Sequence, residues 1–280
     1  MKLVRHGPPG QEKPGIVDAA GVTRDLSAHV ADIDGQTLAP TTLEHLAGLD
    51  LELLPVAVHD RLGPCIAQVG KIVGVGLNYR SHALEAAMQL PDEPLLFVKP
   101  ASAISGPFDP ITLPPSALKA DYEVELGVVI GLTATRVDRA RAVEYIAGYC
   151  IVNDITERTW QLDRGGTWDK GKAHDTFAPI GPWLVTADEV ADPHQLDMHL
   201  MVDGESRQRA NTSDMHHRVD ELIAYITGFM TLHPGDIITT GTPAGTALGT
   251  RFENYLRPGQ VVSTTIEGLG TQRTPIVEIP

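Results

Sequence analysis

The chain has 280 residues, 42% hydrophobic and 21% charged, enough to bury a sizeable core and close to the average for a soluble protein. Its 22 Lys+Arg against 36 Asp+Glu give a formal charge of -14 with no basic cluster, which argues against nucleic acid as a partner, and no run approaches the ~20 apolar residues of a membrane span. Two cysteines, Cys65 and Cys150, are too few for a disulfide framework, and the first residues lack the apolar stretch of a secretion signal, so the cytoplasm is the expected compartment.

Residues 1–65 are punctuated by Gly and Pro and read as a small N-terminal appendage, with Gly15 to Leu26 a short hairpin around Ala19, Ala20 and Gly21. From Lys71 onward short β-type runs recur, at Ile72–Leu77, Leu95–Val98, Tyr122–Ile130, Tyr149–Asn153, Gln195–Val202, Asp236–Thr240 and Val261–Ile266, separated by Gly and Pro clusters. Helical periodicity is weak over 137–147 and clear over Val219–Met230, where Val219, Leu222, Ile223, Ile226 and Met230 share a face. Strands outnumber helices and do not alternate regularly with them. The expectation is a mainly β, α+β fold rather than a doubly wound parallel sheet, with 66–280 as one domain.

The run Asp121–Tyr122–Glu123–Val124–Glu125–Leu126 puts two carboxylates on one face of a strand and Tyr122, Val124 and Leu126 on the other. On a solvent face Glu123 and Glu125 would be ordinary surface charge. The continuation Val128–Val129–Ile130 looks buried instead, and two adjacent buried carboxylates need a cation. Asp154 ends a second apolar run, Tyr149–Asn153, and three carboxylates leave about three places of an octahedral Mg²⁺ or Mn²⁺ open for water and substrate. Zinc fits poorly, since neither Cys has a partner at ligand spacing and His216–His217 are adjacent, which reads as a surface pair.

Asp121 to Glu125, Asn153 to Arg158 with Gln161, Gly171–Lys172 followed by Asp175, and Gly235–Asp236 leading to Thr240 to Gly245 together resemble the signature of the fumarylacetoacetate hydrolase family, over about residues 66–280. The resemblance implies a mixed β-roll, a homodimer, and Mg²⁺ or Mn²⁺ held by Glu123, Glu125 and Asp154. It also gives meaning to Gly76–Glu85, where hydrolytic members carry a His-x-x-Glu pair on the short helix of a lid. His82 would be the general base and Glu85 its orienting partner, with 82–92 a mobile segment hinged near Gly74, Gly76 and Pro91–Pro94. Lys172 stands where the family holds a substrate carboxylate or oxyanion, and Tyr79, Lys99, Arg158, Gln161 and Thr242 fall at positions lining the pocket. The implied reaction is hydrolysis of a C–C bond in an acylpyruvate-type 2,4-dioxo acid. Over its whole length the chain is most similar to a sugar-acid-degrading subgroup acting on compounds such as 2,4-didehydro-3-deoxy-L-rhamnonate, whose members are often labelled ureidoglycolate lyase. Isomerases and decarboxylases of 2-oxo acids share the same metal site, and only the His82–Glu85 pair favours hydrolysis.

Overall fold

Runs of β-branched and apolar residues between Gly and Pro turns build most of this chain. The computed structural model describes residues 1–58, 60–250 and 254–279. It begins with β1 (Lys2–His6), β2 (Lys13–Val17), β3 (Thr23–Asp25) and helix α1 (Pro40–Ala47), followed by β4 (Ile72–Gly76), α2 (Arg80–Glu85) and β5 (Leu95–Lys99). The middle holds β6 (Ile104–Ser105), β7 (Ile111–Leu113), β8 (Ala120–Asp121), β9 (Val124–Ile130), β10 (Ile146–Asn153), β11 (Thr156–Glu157), α3 (Arg158–Leu162) and α4 (Asp169–Lys172). The last part holds β12 (Ala178–Thr186), β13 (Asp197–Val202), β14 (Glu205–Asn211), α5 (Val219–Thr227), β15 (Ile237–Thr239), β16 (Val261–Ile266) and β17 (Gly270–Glu278).

Ten strands form a mixed sheet in the order β3-β2-β1-β12-β10-β9-β15-β4-β5, with β6 attached to β12, and five more form the sheet β14-β13-β16-β17-β7. The expected α+β, mainly β architecture is therefore present. The hairpin expected between Gly15 and Leu26 is β2 paired antiparallel with β3, and β1 joins these strands to the large sheet through β12. Among the described residues no helix is long and apolar enough to cross a membrane.

Two cores lie on opposite faces of the large sheet, and β9 and β10 contribute to both. Val124, Leu126, Val128 and Ile130, with Tyr149 and Ile151, enter the larger core shared with α5 and the five-stranded sheet. Val129, Cys150 and Val152 enter the second, which is completed by Leu3, Ile16, Leu26, Ile33, Leu38 and Leu46 from the first 65 residues. Full burial of one such side chain is worth roughly 1.5–3 kcal/mol, so a one-residue slip of β9 against β10 would expose several and drive carboxylates into the larger core. That cost fixes the face on which Glu125 emerges.

Boundaries shift in three informative places. Strand geometry begins at Val124 rather than Tyr122, leaving Glu123 just outside β9. The weak periodicity over 137–147 forms a 3₁₀ turn at Arg139–Tyr145, and Ile146 and Ala147 already belong to β10. α5 ends at Thr227, yet the expected face is buried at Val219, Leu222, Ile223 and Ile226.

Candidate active site

The antiparallel register of β9 and β10 sets Glu125 opposite Val152 and Val124 opposite Asn153. The pairing continues one step beyond the strands, where the Asp154 N–H donates to the Glu123 carbonyl at 2.9 Å. Because Cys150, Val152 and Asp154 alternate on the face that also carries Glu125, the three carboxylates converge. One oxygen from each lies within 4.8 Å of the others, and all three side chains are buried.

Cations surround two of the three. Lys172 Nζ donates to Glu123 Oε2 at 2.8 Å, Asp154 Oδ2 at 2.6 Å and Thr156 Oγ1 at 2.8 Å, while Lys99 Nζ donates to Asp154 Oδ1 at 2.5 Å and the Ile155 carbonyl at 3.1 Å. The Phe97 ring covers the Lys172 ammonium, its centroid 4.6 Å away. Arg158 reaches Glu123 Oε1 through Nη2 at 2.6 Å, Asp121 Oδ2 through Nε at 2.8 Å and Gln161 Oε1 through Nη1 at 2.9 Å. Glu125 differs. Its Oε2 accepts the Gly241 N–H at 3.0 Å, and among the described residues no Lys or Arg forms an ion pair with it.

The titration of these groups follows from that arrangement. Burial works against ionisation of Glu123, but the charges of Lys172 and Arg158 overcome it and hold the carboxyl below the usual range. Burial, followed by the charges of Asp154 and Glu123, pushes the Glu125 carboxyl well above that range. Burial lowers Lys99 despite the nearby Asp154, whereas Asp154 and Glu123 prevail over burial at Lys172 and raise it. Three buried carboxylate oxygens, one on a side chain with no cation of its own, form a hard donor set that fits Mg²⁺ or Mn²⁺.

The remaining expected residues fall around this centre. His82 and Glu85 share one face of α2, with His82 Nδ1 3.6 Å from Glu85 Oε2, longer than a hydrogen bond. Both Glu85 oxygens instead accept the Gly245 N–H, at 3.0 and 3.1 Å, and His82 Nδ1 has no hydrogen-bond partner among the described residues. Tyr79 is fully buried, its hydroxyl donating to Met198 Sδ at 3.2 Å, and burial followed by the Glu125 charge pushes the phenol well up. Thr242 Oγ1 donates to the Val124 carbonyl at 3.0 Å and accepts from Gln208 Nε2 at 2.8 Å.

Three participants escaped the sequence reading. Asp121 pairs with Arg158 and accepts the N–H groups of Ala247 and Leu248 at 2.7 and 3.1 Å; its place two residues before Glu123 was the available signal. Gln208, which also accepts the Val124 N–H at 2.9 Å, sits in the polar run Glu205–Asn211 and carried no signal, whereas Thr156 lies inside the Asn153 to Arg158 motif, which was its signal. The surface reading of His216–His217 needs correction, because His217 is only 5% exposed and bonded at both ring nitrogens.

Residues 71–277 match the family profile described as fumarylacetoacetate (FAA) hydrolase C-terminal. A Burkholderia multivorans protein whose name offers hydrolase only as a provisional class is 56% identical over 274 residues, covering 97% of each chain. The solved maleylpyruvate hydrolase from Sphingobium sp. SYK-6, in complex with manganese(II) ion and pyruvate, superposes with a TM-score of 0.82 at 30% identity over 100% of both chains. So does 5-carboxymethyl-2-hydroxymuconate delta-isomerase from Mycobacterium smegmatis, with a TM-score of 0.78 at 35% identity over 100% of both chains.

Proposed function

The chain belongs to the fumarylacetoacetate hydrolase family, and on that premise we propose that it hydrolyses the C3–C4 bond of an acylpyruvate-type 2,4-dioxo acid, with a divalent metal held by Glu123, Glu125 and Asp154. The observation that carries this reading is the convergence of those three buried carboxylates beside a helix that presents His82 and Glu85. The likeness to a hydrolase solved with manganese and pyruvate supports both the metal and a pyruvate-yielding reaction. Bound there, Mg²⁺ or Mn²⁺ would neutralise the carboxylates and polarise the 2-oxo group as a Lewis acid.

The chain's own groups supply the rest. His82, its Nδ1 3.6 Å from the Glu85 carboxylate, takes a proton from water as the water adds to C4. Breaking the C3–C4 bond sends its electron pair to C3 as the enolate of pyruvate, and a proton returned to C3 completes pyruvate and the acid derived from C4. Lys172, held among Glu123, Asp154 and Thr156, is placed to meet substrate carboxylate or developing oxyanion charge, with Lys99 behind it. Arg158, tied to Asp121 and Gln161, braces Glu123. Tyr79 and Thr242 line the same region. Because the triad is buried, substrate entry needs residues 82–92 to open, as a lid would.

The substrate class proposed is a 2,4-dioxo-3-deoxy sugar acid such as 2,4-didehydro-3-deoxy-L-rhamnonate, which would give pyruvate and lactate. The enzyme is proposed to work as a cytoplasmic homodimer, with residues 1–65 as a small N-terminal appendage that extends the large sheet of the 66–280 domain through β1 and completes its second core. Exposed apolar side chains at Leu84 (83% exposed) and Met88 (52% exposed) on and after α2 are consistent with a covered face. Pyruvate release from a panel of 2,4-dioxo acids, with and without Mg²⁺ or Mn²⁺, tests the reaction. A product that is an isomer or CO₂, with no pyruvate, would transfer the assignment to the isomerase or decarboxylase reading that the isomerase likeness keeps open.

A further inference from the structure

The segment that carries His82 and Glu85 leaves the body of the protein at Asn78 and returns at Pro91, and both points are tied to one dipeptide. Asn78 is fully buried; its carbonyl accepts the His216 N–H at 2.7 Å, its Oδ1 accepts the His217 N–H at 2.8 Å, and its Nδ2 donates to the His217 carbonyl at 3.1 Å and the Thr240 carbonyl at 2.8 Å. At the other end, the Pro91 carbonyl faces Nε2 of His216 and Nε2 of His217, each at 3.2 Å, with the two rings 4.3 Å apart. His217 Nδ1 lies 2.7 Å from Glu221 Oε1 on α5, and two residues beyond Pro91 the Glu93 carboxylate accepts the Tyr225 hydroxyl, also from α5, at 3.1 Å.

We propose that His216 and His217 are positioning residues that close the neck of segment 78–91, so that α2 docks beside the carboxylate triad as one piece. A carbonyl oxygen has two lone pairs and can receive both imidazoles, while Pro91 has no N–H with which to compensate if they are lost. The Pro91 carbonyl is an acceptor only, so on both rings Nε2 is the nitrogen that donates to it. Further contacts hold the start of the segment without reaching its end: Arg80 Nη1 donates to the Met215 carbonyl at 2.6 Å, and the Ser81 N–H to Asp214 Oδ2 at 3.0 Å. Only the two imidazoles bridge from the Asn78 side of the neck to Pro91 among the described contacts. The hinge is thereby placed at Asn78 and Pro91, inside the glycines of β4.

The positioning role rests on the function proposed for His82, but the clamp itself is read without activity. Asn places its donor near the Nδ1 position of His, and Gln near Nε2, so the double variants His216→Asn/His217→Asn and His216→Gln/His217→Gln differ in whether Pro91 keeps its donors. Amide exchange over 79–92 is expected to rise about tenfold in the Asn pair while β9 and β10 stay protected, and to remain close to wild type in the Gln pair. With an acylpyruvate as substrate, the Asn pair is expected to lose kcat with metal affinity intact and the Gln pair to recover most of it. Equal exchange over 79–92 in the Asn pair and the unaltered protein would overturn the clamp. In the unaltered protein, side-chain ¹⁵N spectra should show Nε2 protonated on both residues; an unprotonated Nε2 on either would overturn it even if the variants fail to fold. Absence of turnover in the unaltered protein, with the exchange pattern as expected, would instead remove the proposed function and leave the clamp standing.

Discussion

The carboxylate centre and the helix beside it are built on opposite principles. Glu123, Asp154, Lys99, Lys172 and Arg158 are nearly or fully buried and saturated by mutual ion pairs; the two carboxylates stand at the ends of β9 and β10, whose register is held by two hydrophobic cores, and the cations come from β5, α4 and α3. α2 is six residues long, carries the 83%-exposed Leu84, and is held mainly at the neck and by the Gly245 N–H on Glu85. A buried charge network tolerates little displacement, because separating one partner leaves another unpaired in low dielectric at a cost of about 3–5 kcal/mol. A short helix tied by a few partly exposed hydrogen bonds, each worth about 1–3 kcal/mol, can open locally without unfolding the sheet. The tightly paired region is the one proposed to hold a cation, and the lightly held helix is the one proposed to admit substrate.

The largest expected effect breaks the rigid region. Glu125→Ala should lower Mn²⁺ affinity by more than the ~100-fold that loss of a supporting residue costs, and abolish turnover. Since Glu125 is the carboxylate with no cation of its own, removing it should leave the metal-free protein as stable or more so, while the metal-induced rise in Tm disappears. Calorimetry with unchanged affinity would sink the assignment of the triad.

Next in size is His82→Ala, on the lightly held side. Loss of a general base should reduce kcat for pyruvate release by about 10²-fold or more with metal affinity unchanged, a combination that would separate the two regions functionally. Full activity in this variant would remove the hydrolytic role.

A smaller change sharpens how α2 is seated. A Cβ on Gly249 would come within 2.0 Å of Glu85 Oε2, so Gly249→Ala should push the carboxylate off the Gly245 N–H. A side-chain end moves at little cost in stability, so Tm should hardly change. The expected loss is in kcat, about tenfold and less than for His82→Ala. Steady-state kinetics matching wild type would show that the Gly245 contact does not orient the pair.

The mildest effect concerns α5, which supplies Glu221 and Tyr225 to the neck. The first N–H of this helix, from Val219, is accepted by His194 Nε2 at 3.1 Å. Burial, aided by the Arg218 charge, holds the His194 imidazole below its usual value. The unfolded chain then takes up the proton first, so this contribution is complete above about pH 6.5 and falls as pH drops below it. Urea midpoints at about pH 7.5 and 5.5 should differ more for the native chain than for His194→Gln; equal pH dependence in both would reject the assignment.

Local sequence determined β4, β5, β9, β10, β13, β15 and β16, the Gly15–Leu26 hairpin, the buried face of α5, and the side of β9 and β10 on which Glu125 and Asp154 emerge, but it did not mark β1, β12, β14 or β17. In each case a short-range periodicity of apolar residues meets a fixed backbone repeat, so neighbours a few positions apart carry the information. The same periodicity misled at Arg139–Tyr145, where the apolar residues of Ile146 and Ala147 belong to the next strand. Which cation meets which carboxylate was decided only by tertiary structure. Arg158 and Gln161 could be placed at the site by motif, but the engagement of Arg158 with Asp121 and Glu123 joins residues 35–37 positions apart, and Lys99 reaches Asp154 across 55. His216–His217, polar and adjacent, carried every mark of solvent exposure until the Asn78 turn and Pro91 closed over them. Ion pairs and hydrogen bonds are directional contacts between side chains far apart in the chain, and no periodicity along the sequence encodes them; they exist only once the sheets have brought those ends together.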